Sequence, residues 1–305
     1  MKKIILIFGL LFTGTFAIAQ RTPVANFSQF QQYFNPALTG NEGSAIKGFY
    51  RDQFEAGSGA PTTLFMAAEL KLTDLIKKNA ETASYAHAVG LSLLNDEYGA
   101  AKNNRASLSY SLGYQLKKFR IHAGIAATVD NTKFSFDEAL VFDEEDTHDF
   151  ENVNKLGINA GLAISSDNFY AGYALSDIVE ENLSNDGKYL NDLYPVQHIA
   201  QLGYRRQLGQ PFAVVINGIF RYDKAQKESV EGQLKAVYKN AFWLGAGYRH
   251  DLAYTFNAGI RFERLKLSYS REVRSSHTAA LYKGNNEITL ALDFRKISAG
   301  QLSIW

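Results

Sequence analysis

The chain has 305 residues, no cysteine and a formal net charge of +1 at pH 7. This near-neutral balance excludes the strongly basic footprint of a nucleic-acid-binding protein, and the lack of cysteine excludes a small exported domain stapled by disulfides. Tyr (17) and Phe (21) are plentiful and Pro (5) is scarce, a composition that favours long β-strands.

Residues 1–19 have the three parts of a secretory signal peptide. Lys2 and Lys3 form the basic region, residues 4–16 form the apolar region, and Ala17-Ile18-Ala19 supplies a cleavage site before Gln20. Cleavage would leave 30 basic against 31 acidic side chains. An uncleaved membrane anchor is the alternative. We expect an exported protein without a lipoprotein anchor, because no cysteine follows the leader.

A segment of irregular pattern, residues 20–43, precedes the first strand. It is too apolar for a free tail and too irregular for a strand. Asn35-Pro36 and Gly40 indicate a turn at its end. We expect this segment to fold into the lumen of the barrel predicted below, or against its periplasmic rim.

From residue 44 onward, apolar and polar residues alternate. In "LAYTFNAGIRFE" (252–263), six consecutive apolar positions oppose a polar or small face. Strands of soluble sandwiches seldom alternate over such a length. About fourteen segments follow this rule: 44–54, 62–72, 86–95, 104–116, 119–136, 155–165, 168–176, 198–208, 212–222, 230–238, 241–249, 252–262, 265–273 and 285–294.

The links between these segments alternate in length. Short links at 117–118, 166–167, 209–211, 239–240 and 263–264 occupy every second connection, and longer links lie between them. We therefore predict an all-β fold, an antiparallel transmembrane β-barrel of about 14 strands over residues 44–305, with short periplasmic turns and longer outer loops. The link 73–85 is long for the periplasmic side and could hold a short helix.

Charged residues recur on the polar face of the predicted strands, where they would face the lumen. One interpretation is a salt-bridged barrel interior; the other is a selective pore or a docking surface for a passenger segment. The residues concerned are Arg205, Arg221, Glu231, Lys235, Arg261, Glu263, Lys266 and Asp293.

Evidence for catalysis or metal binding is weak. The acidic loop 137–151 could hold calcium but lacks regular ligand spacing, so a solvated outer loop is the simpler interpretation. The six histidines form no pair with metal-ligand spacing, and no nucleophile motif is present. We predict a protein that is not an enzyme and has no cofactor.

Four motifs near the amino terminus occur in a fixed order: "QYFNPALTG" (32–40), "FYRDQF" (49–54), "GAPTT" (59–63) and "GLSLLNDEYG" (90–99). Together they resemble the signature of the PorP/SprF family of type IX secretion system membrane proteins, although Phe54 stands where that family often has Trp. The matching residues are Gln32, Tyr33, Asn35, Pro36, Gly40, Tyr50, Arg51, Gln53, Gly59, Ala60, Pro61, Asn95, Asp96 and Gly99.

The resemblance implies a non-enzymatic outer-membrane component of the type IX secretion and gliding machinery. Its implied partners are other components of that machinery and a surface adhesin, exported or anchored through the adhesin's carboxy-terminal sorting domain. Outer-membrane lipid would surround the barrel, and no nucleic acid is expected. A diffusion channel or hydrophobic-solute transporter is the alternative, because a barrel fold alone does not determine function.

Overall fold

The computed structural model describes residues 24–53, 60–73, 84–99, 101–134, 152–182, 195–224, 227–275, 284–294 and 302–305. Within them, fourteen antiparallel strands close into a barrel, as predicted. Each strand pairs with its neighbours in sequence, and β1 pairs with β14. The strands are β1 Ala45–Asp52, β2 Thr62–Lys71, β3 Tyr85–Tyr98, β4 Ala101–Leu116, β5 Phe119–Phe134, β6 Asn152–Ser165, β7 Phe169–Asn182, β8 Gln197–Gly209, β9 Phe212–Asp223, β10 Lys227–Tyr238, β11 Phe242–Arg249, β12 Ala253–Phe262, β13 Leu265–Arg274 and β14 Asn285–Asp293.

Alternation along each strand divides the barrel into an apolar outside and a polar inside. On β12, Tyr254 and Phe256 are exposed whereas Thr255 and Asn257 are buried. A soluble barrel would show the opposite arrangement, so the outer surface is built for hydrocarbon. Among the described residues, no helix has the length and hydrophobicity needed to cross a membrane.

The two ends of the barrel differ in their connections. We call one the turn end, where links 117–118, 166–168, 210–211, 239–241 and 263–264 join strands and where β1 begins. We call the other the loop end, where β1 ends and β14 begins. Several predicted features lie outside the described residues, namely the signal peptide, Phe54 to Gly59, the acidic loop 137–151 and most of 73–85.

The strands differ in length around the barrel. β3 to β7 contain 14 to 16 residues, and we call them the tall wall. β1 and β11 to β14 contain 8 to 10 residues, and we call them the short wall. Because its strands are longer, the tall wall extends further along the strand direction than the short wall.

One predicted loop proves to be strand. The alternation of apolar residues predicts an outer link over 96–103, but β3 extends to Tyr98, β4 begins at Ala101, and two residues join them. Polar side chains pair the strands there: Asn95 Nδ2 donates to Asn104 Oδ1 at 2.8 Å. Hydrophobicity marks where the strands leave the lipid, whereas backbone pairing continues beyond that point.

Candidate functional site: the filled lumen

Residues 24–43 lie inside the barrel as three short helical turns, Phe27–Gln29, Gln31–Phe34 and Pro36–Leu38. We call them the lumen segment. Asn35 begins the third turn, because its Oδ1 accepts a hydrogen bond from Ala37 N at 2.9 Å. Pro36 suits the first position of that turn, where its missing N–H leaves no donor unpaired.

An aromatic cluster anchors the lumen segment to β1 and β2. The Phe30 ring lies 5.0 Å from that of Phe49 and 5.5 Å from that of Phe65, both in edge-on geometry. Tyr33 packs on Phe65 at 5.1 Å. Phe49 and Phe65 point into the lumen and are almost fully buried. Without the lumen segment these two rings would face the polar barrel interior, so their burial stabilises the closed arrangement.

The Asn35-Pro36-Ala37 sequence lies directly against glycines on the inner face of the tall wall. A Cβ added to Gly124 would stand 2.3 Å from Ala37 N, and one added to Gly161 would stand 2.0 Å from Asn35 Oδ1. Asn35 Nδ2 donates to the backbone oxygen of Leu162 at 3.2 Å. Gly124 therefore permits close approach of the backbone, and Gly161 leaves room for the side-chain amide of Asn35.

The end of the lumen segment is fixed by Thr39 and Gly40. Thr39 Oγ1 donates to Ser109 Oγ at 3.0 Å, and Gly40 N donates to Glu69 Oε2 at 2.6 Å. Gly40 has φ of +67°, and a Cβ there would meet that of Ala88 at 2.5 Å. Both the backbone angle and the lack of space therefore demand glycine.

A buried ionic network crosses the lumen toward the loop end. Arg249 donates to Glu231 at 2.9 Å and to Glu272 at 2.8 Å, and Arg51 donates to Glu272 at 2.5 Å. Arg221 lies 3.8 Å from Glu231. These side chains hold one another in place because an unpaired charge at this depth is strongly unfavourable. The network consists of Arg51, Arg221, Arg249, Glu231, Glu272 and Glu287.

The network also holds the start of the lumen segment. Glu287, 3.9 Å from Arg51, accepts hydrogen bonds from Ala25 N at 2.8 Å and Asn26 N at 3.0 Å. Lys235 Nζ donates to Asn26 Oδ1 and Ser28 Oγ, both at 2.8 Å. The lumen segment is thus fixed both by apolar packing and by bonds to charged groups.

Residues 302–305 pack into the turn end beside the lumen segment. The Trp305 ring lies 4.8 Å from Tyr170 and 4.1 Å from the guanidinium carbon of Arg205. Lys235 Nζ donates to the Trp305 backbone oxygen at 2.5 Å. Arg205 also binds Glu42 at 3.1 Å. Burial alone would raise the pKa of Glu42, but the nearby guanidinium lowers it below the ordinary value.

A family model described as "Type IX secretion system membrane protein PorP/SprF" matches residues 17–292. The chain belongs to the PorP/SprF family. The resemblance predicted from the four amino-terminal motifs is thereby confirmed. The protein is a membrane component of the type IX secretion system, and its barrel is of the outer-membrane type.

Several solved outer-membrane proteins are similar in fold to this PorP/SprF member. They include Acinetobacter baumannii Omp33 (8% identity, 82% of this chain, 96% of that chain, TM-score 0.46) and a Pseudomonas aeruginosa FadL homologue (10%, 86%, 93%, 0.47). The P. putida toluene transporter TodX is another (11%, 86%, 93%, 0.47). No curated protein matches the chain in sequence.

The family motif residues are distributed between the lumen and the loop end. Asn35, Pro36 and Gly40 contact the barrel wall, and Arg51 belongs to the ionic network. Gln32 and Tyr33 are half-buried in the lumen segment, whereas Tyr50 is exposed on the outer face. Gln53, Ala60, Pro61, Asn95, Asp96 and Gly99 lie at the loop end; Gly59 is outside the described residues.

The predicted lumen charges divide into three groups. Arg221 and Glu231 join the ionic network, whereas Arg205 and Lys235 bind the lumen segment and residues 302–305. Near the turn end, Lys266 pairs with Asp293 at 2.8 Å, and Arg261 donates to Ser303 Oγ at 2.8 Å. The prediction for Glu263 is wrong: it lies exposed in the turn after β12 with φ of +50°, because the strand ends at Phe262.

Sequence reasoning missed Arg249, Glu272 and Glu287, which complete the ionic network. Period two along β11, β13 and β14 does place all three on the inner face, so the signal was present. Pairing across strands distant in sequence is what makes them a network, and a single sequence does not display it. Among the described residues, no group of three His, Cys, Asp or Glu is arranged to hold a metal ion.

Proposed function

We propose that this PorP/SprF member is a non-enzymatic support for the export or surface anchoring of a partner adhesin, recognised through the adhesin's carboxy-terminal sorting domain. The observation that carries the proposal is the filled lumen. Residues 24–43 and 302–305 occupy the space that a solute would need, and they are bonded to the wall on several sides. Surfaces rather than a pore are then available for function.

The orientation follows from the connections. Barrels of this class place short turns in the periplasm and long loops outside the cell. We infer that the turn end, with Trp305 and Glu42, faces the periplasm and the other secretion components. The loop end then faces the exported adhesin. Cleavage of the signal peptide near Ala19-Gln20 would release the segment that enters the lumen.

The first experiment is a clean deletion strain whose surface, periplasmic and medium proteomes are compared with those of the parent. Loss of one or a few adhesins from the surface, while other secretion persists, is the expected result. Loss of all type IX cargo would instead indicate a shared part of the machinery. Unchanged cargo would contradict the proposal and favour a solute channel.

Conductance measurements test the channel alternative directly. The purified protein in a planar bilayer should show no steady conductance, because the lumen segment fills the barrel. A stable open current in the parent protein would contradict the closed lumen and support a diffusion channel or a hydrophobic-solute transporter.

A further inference from the structure

Four asparagines form a row across the outer face of the tall wall, and we call this row the asparagine ladder. Asn95 is paired with Asn104, Asn104 with Asn131, and Asn131 with Asn154 on successive strands. Asn131 Nδ2 donates to Asn154 Oδ1 at 2.7 Å, which repeats the Asn95–Asn104 bond. The four side chains therefore form one continuous row on one surface.

The ladder lies immediately beyond the apolar surface. Two residues toward the turn end, the same strands carry Leu93, Ala106, Val129 and Leu156 on the outer face. Leu93 and Leu156 are exposed there, as lipid-facing side chains are. The next layer in a bilayer is the headgroup layer, so the ladder is positioned at the depth of lipid headgroups.

Lysines follow the ladder one step further from the apolar surface. Lys102 and Lys133 are paired on β4 and β5, and both are exposed. Lys102 Nζ also binds Glu97 Oε1 at 2.5 Å, yet half of its side chain remains accessible. Glu97, Lys102 and Lys133 together carry one excess positive charge at this edge.

Elsewhere around the barrel, the outer face at the loop end carries exposed tyrosine rings. Tyr222, Tyr248 and Tyr254 are exposed at the ends of β9, β11 and β12, and the last two rings lie 5.1 Å apart. Such rings form the usual aromatic girdle at a membrane interface. The tall wall has the ladder and the two lysines at its interface, beside an exposed Tyr98 at the end of β3. This combination of amides and ammonium groups indicates a different lipid partner on that side.

We propose that the asparagine ladder and the two lysines bind the phosphorylated sugar headgroup of an outer-leaflet glycolipid. A primary amide has two N–H donors and a doubly accepting oxygen, so the amides of Asn95, Asn104 and Asn154 have capacity for sugar hydroxyls beyond their ladder bonds. Lysine ammonium groups match phosphate, and the leucine row matches acyl chains. The proposal rests on the orientation inferred above, in which the loop end faces outward.

If the ladder only stabilised the sheet and bound no lipid, the expected results would differ. Cross-strand asparagine pairs would stabilise the sheet, and their loss would lower stability without altering lipid selectivity. Binding selectivity therefore separates the two explanations, and it is measurable on purified protein independently of any secretion phenotype.

The test is native mass spectrometry of the mature protein in a neutral detergent, titrated with bis-phosphorylated lipid A, with its dephosphorylated form and with phosphatidylglycerol. Lys102→Gln/Lys133→Gln should weaken lipid A binding about tenfold. The control Lys118→Gln/Lys224→Gln removes the same charge at exposed sites away from the ladder and should behave as the parent. Asn104→Ala/Asn131→Ala should weaken both glycolipid forms together.

Three results would overturn the proposal. The first is equal binding of phosphatidylglycerol and lipid A by the parent, since the sugar would then contribute nothing. The second is parent-like lipid A binding by Lys102→Gln/Lys133→Gln. The third is an equal loss in the control, which would indicate general charge attraction. Because the readout is binding, failure of adhesin export in the deletion strain neither supports nor weakens it.

Discussion

Gly124→Ala is the sharpest test of the contact between the lumen segment and the tall wall. The new methyl group would stand 2.3 Å from Ala37 N, 2.4 Å from the Pro36 carbonyl carbon and 2.5 Å from Ala37 Cα. All three are backbone atoms, so no side-chain rotation relieves the overlap. The chain at Pro36-Ala37 must therefore move away from β5.

The size of the effect follows from three contributions. Overpacking of this kind costs about 1–3 kcal/mol. Movement of Ala37 also breaks its hydrogen bond from Ser111 Oγ, 2.7 Å long, which contributes about 1 kcal/mol. Alanine recovers about 0.5–1 kcal/mol because glycine is unfavourable within a strand. We expect a net loss of about 1–3.5 kcal/mol in the free energy of unfolding.

Gly232→Ala supplies the matched control. Gly232 lies on the outer face of β10, and a Cβ there has its nearest neighbour, Asn217 O, at 4.0 Å. Urea unfolding followed by the fluorescence of the two buried tryptophans, Trp243 and Trp305, measures both variants. Conductance in planar bilayers shows whether the displaced segment opens the lumen. Equal stability of the two variants, with both lumens closed, would refute the reasoning.

Three further changes test the ionic network, the lipid-facing surface and the turn end. Arg249→Met should cost about 3–5 kcal/mol in urea unfolding, because Glu231 and Glu272 each lose one buried partner and the network keeps an excess negative charge. Exposed Arg206→Met should change stability by less than about 0.5 kcal/mol. Leu290→Arg, mid-strand on the outer face, should lower folding stability in lipid vesicles by about 2–4 kcal/mol, and Phe294→Arg beyond the strand by about 0–1 kcal/mol; equal losses would contradict the assigned depth. The pKa of Glu42 is lower in the folded protein than its unfolded value of about 4.5. Ionised Glu42 therefore stabilises the fold above the unfolded pKa, and this contribution is lost as the pH falls through the folded pKa. Glu42→Gln should therefore show a smaller loss of urea stability than the parent between neutral pH and pH well below 4.5; an unchanged pH profile would contradict the Glu42 assignment.

The strands were predictable because a membrane barrel repeats one rule. An apolar outer face and a polar inner face give period two over β12 and its counterparts, and alternating link lengths determine the strand count. The alternation of apolar and polar residues ends where the strands extend beyond the lipid-facing surface. β3 and β4 continue past Asn95 and Asn104 on polar pairs, and hydropathy contains no signal for that extension.

The filled lumen was predictable only in outline. An irregular apolar segment before the first strand indicated packing against the barrel. It did not indicate whether the segment lies in the lumen or against the periplasmic rim. Phe49 and Phe65 on the inner face were the missed signal, because a water-filled lumen gives no reason for aromatic rings there. The glycines that face Asn35 became informative only once their neighbours in three dimensions were known.

The positions of the motif residues bear on how members of one family could differ in partner. Asn35 and Gly40 fix the lumen segment to the wall, and Arg51 closes the ionic network above it. These residues hold the lumen segment and the ionic network in place, and so they keep this barrel closed. Under the proposed function, we infer that selection of the adhesin depends on residues outside the motifs. Exchange of the outer loops between members should then transfer partner choice while the motif residues remain unchanged. Transfer of partner choice by the motif residues alone would contradict this division.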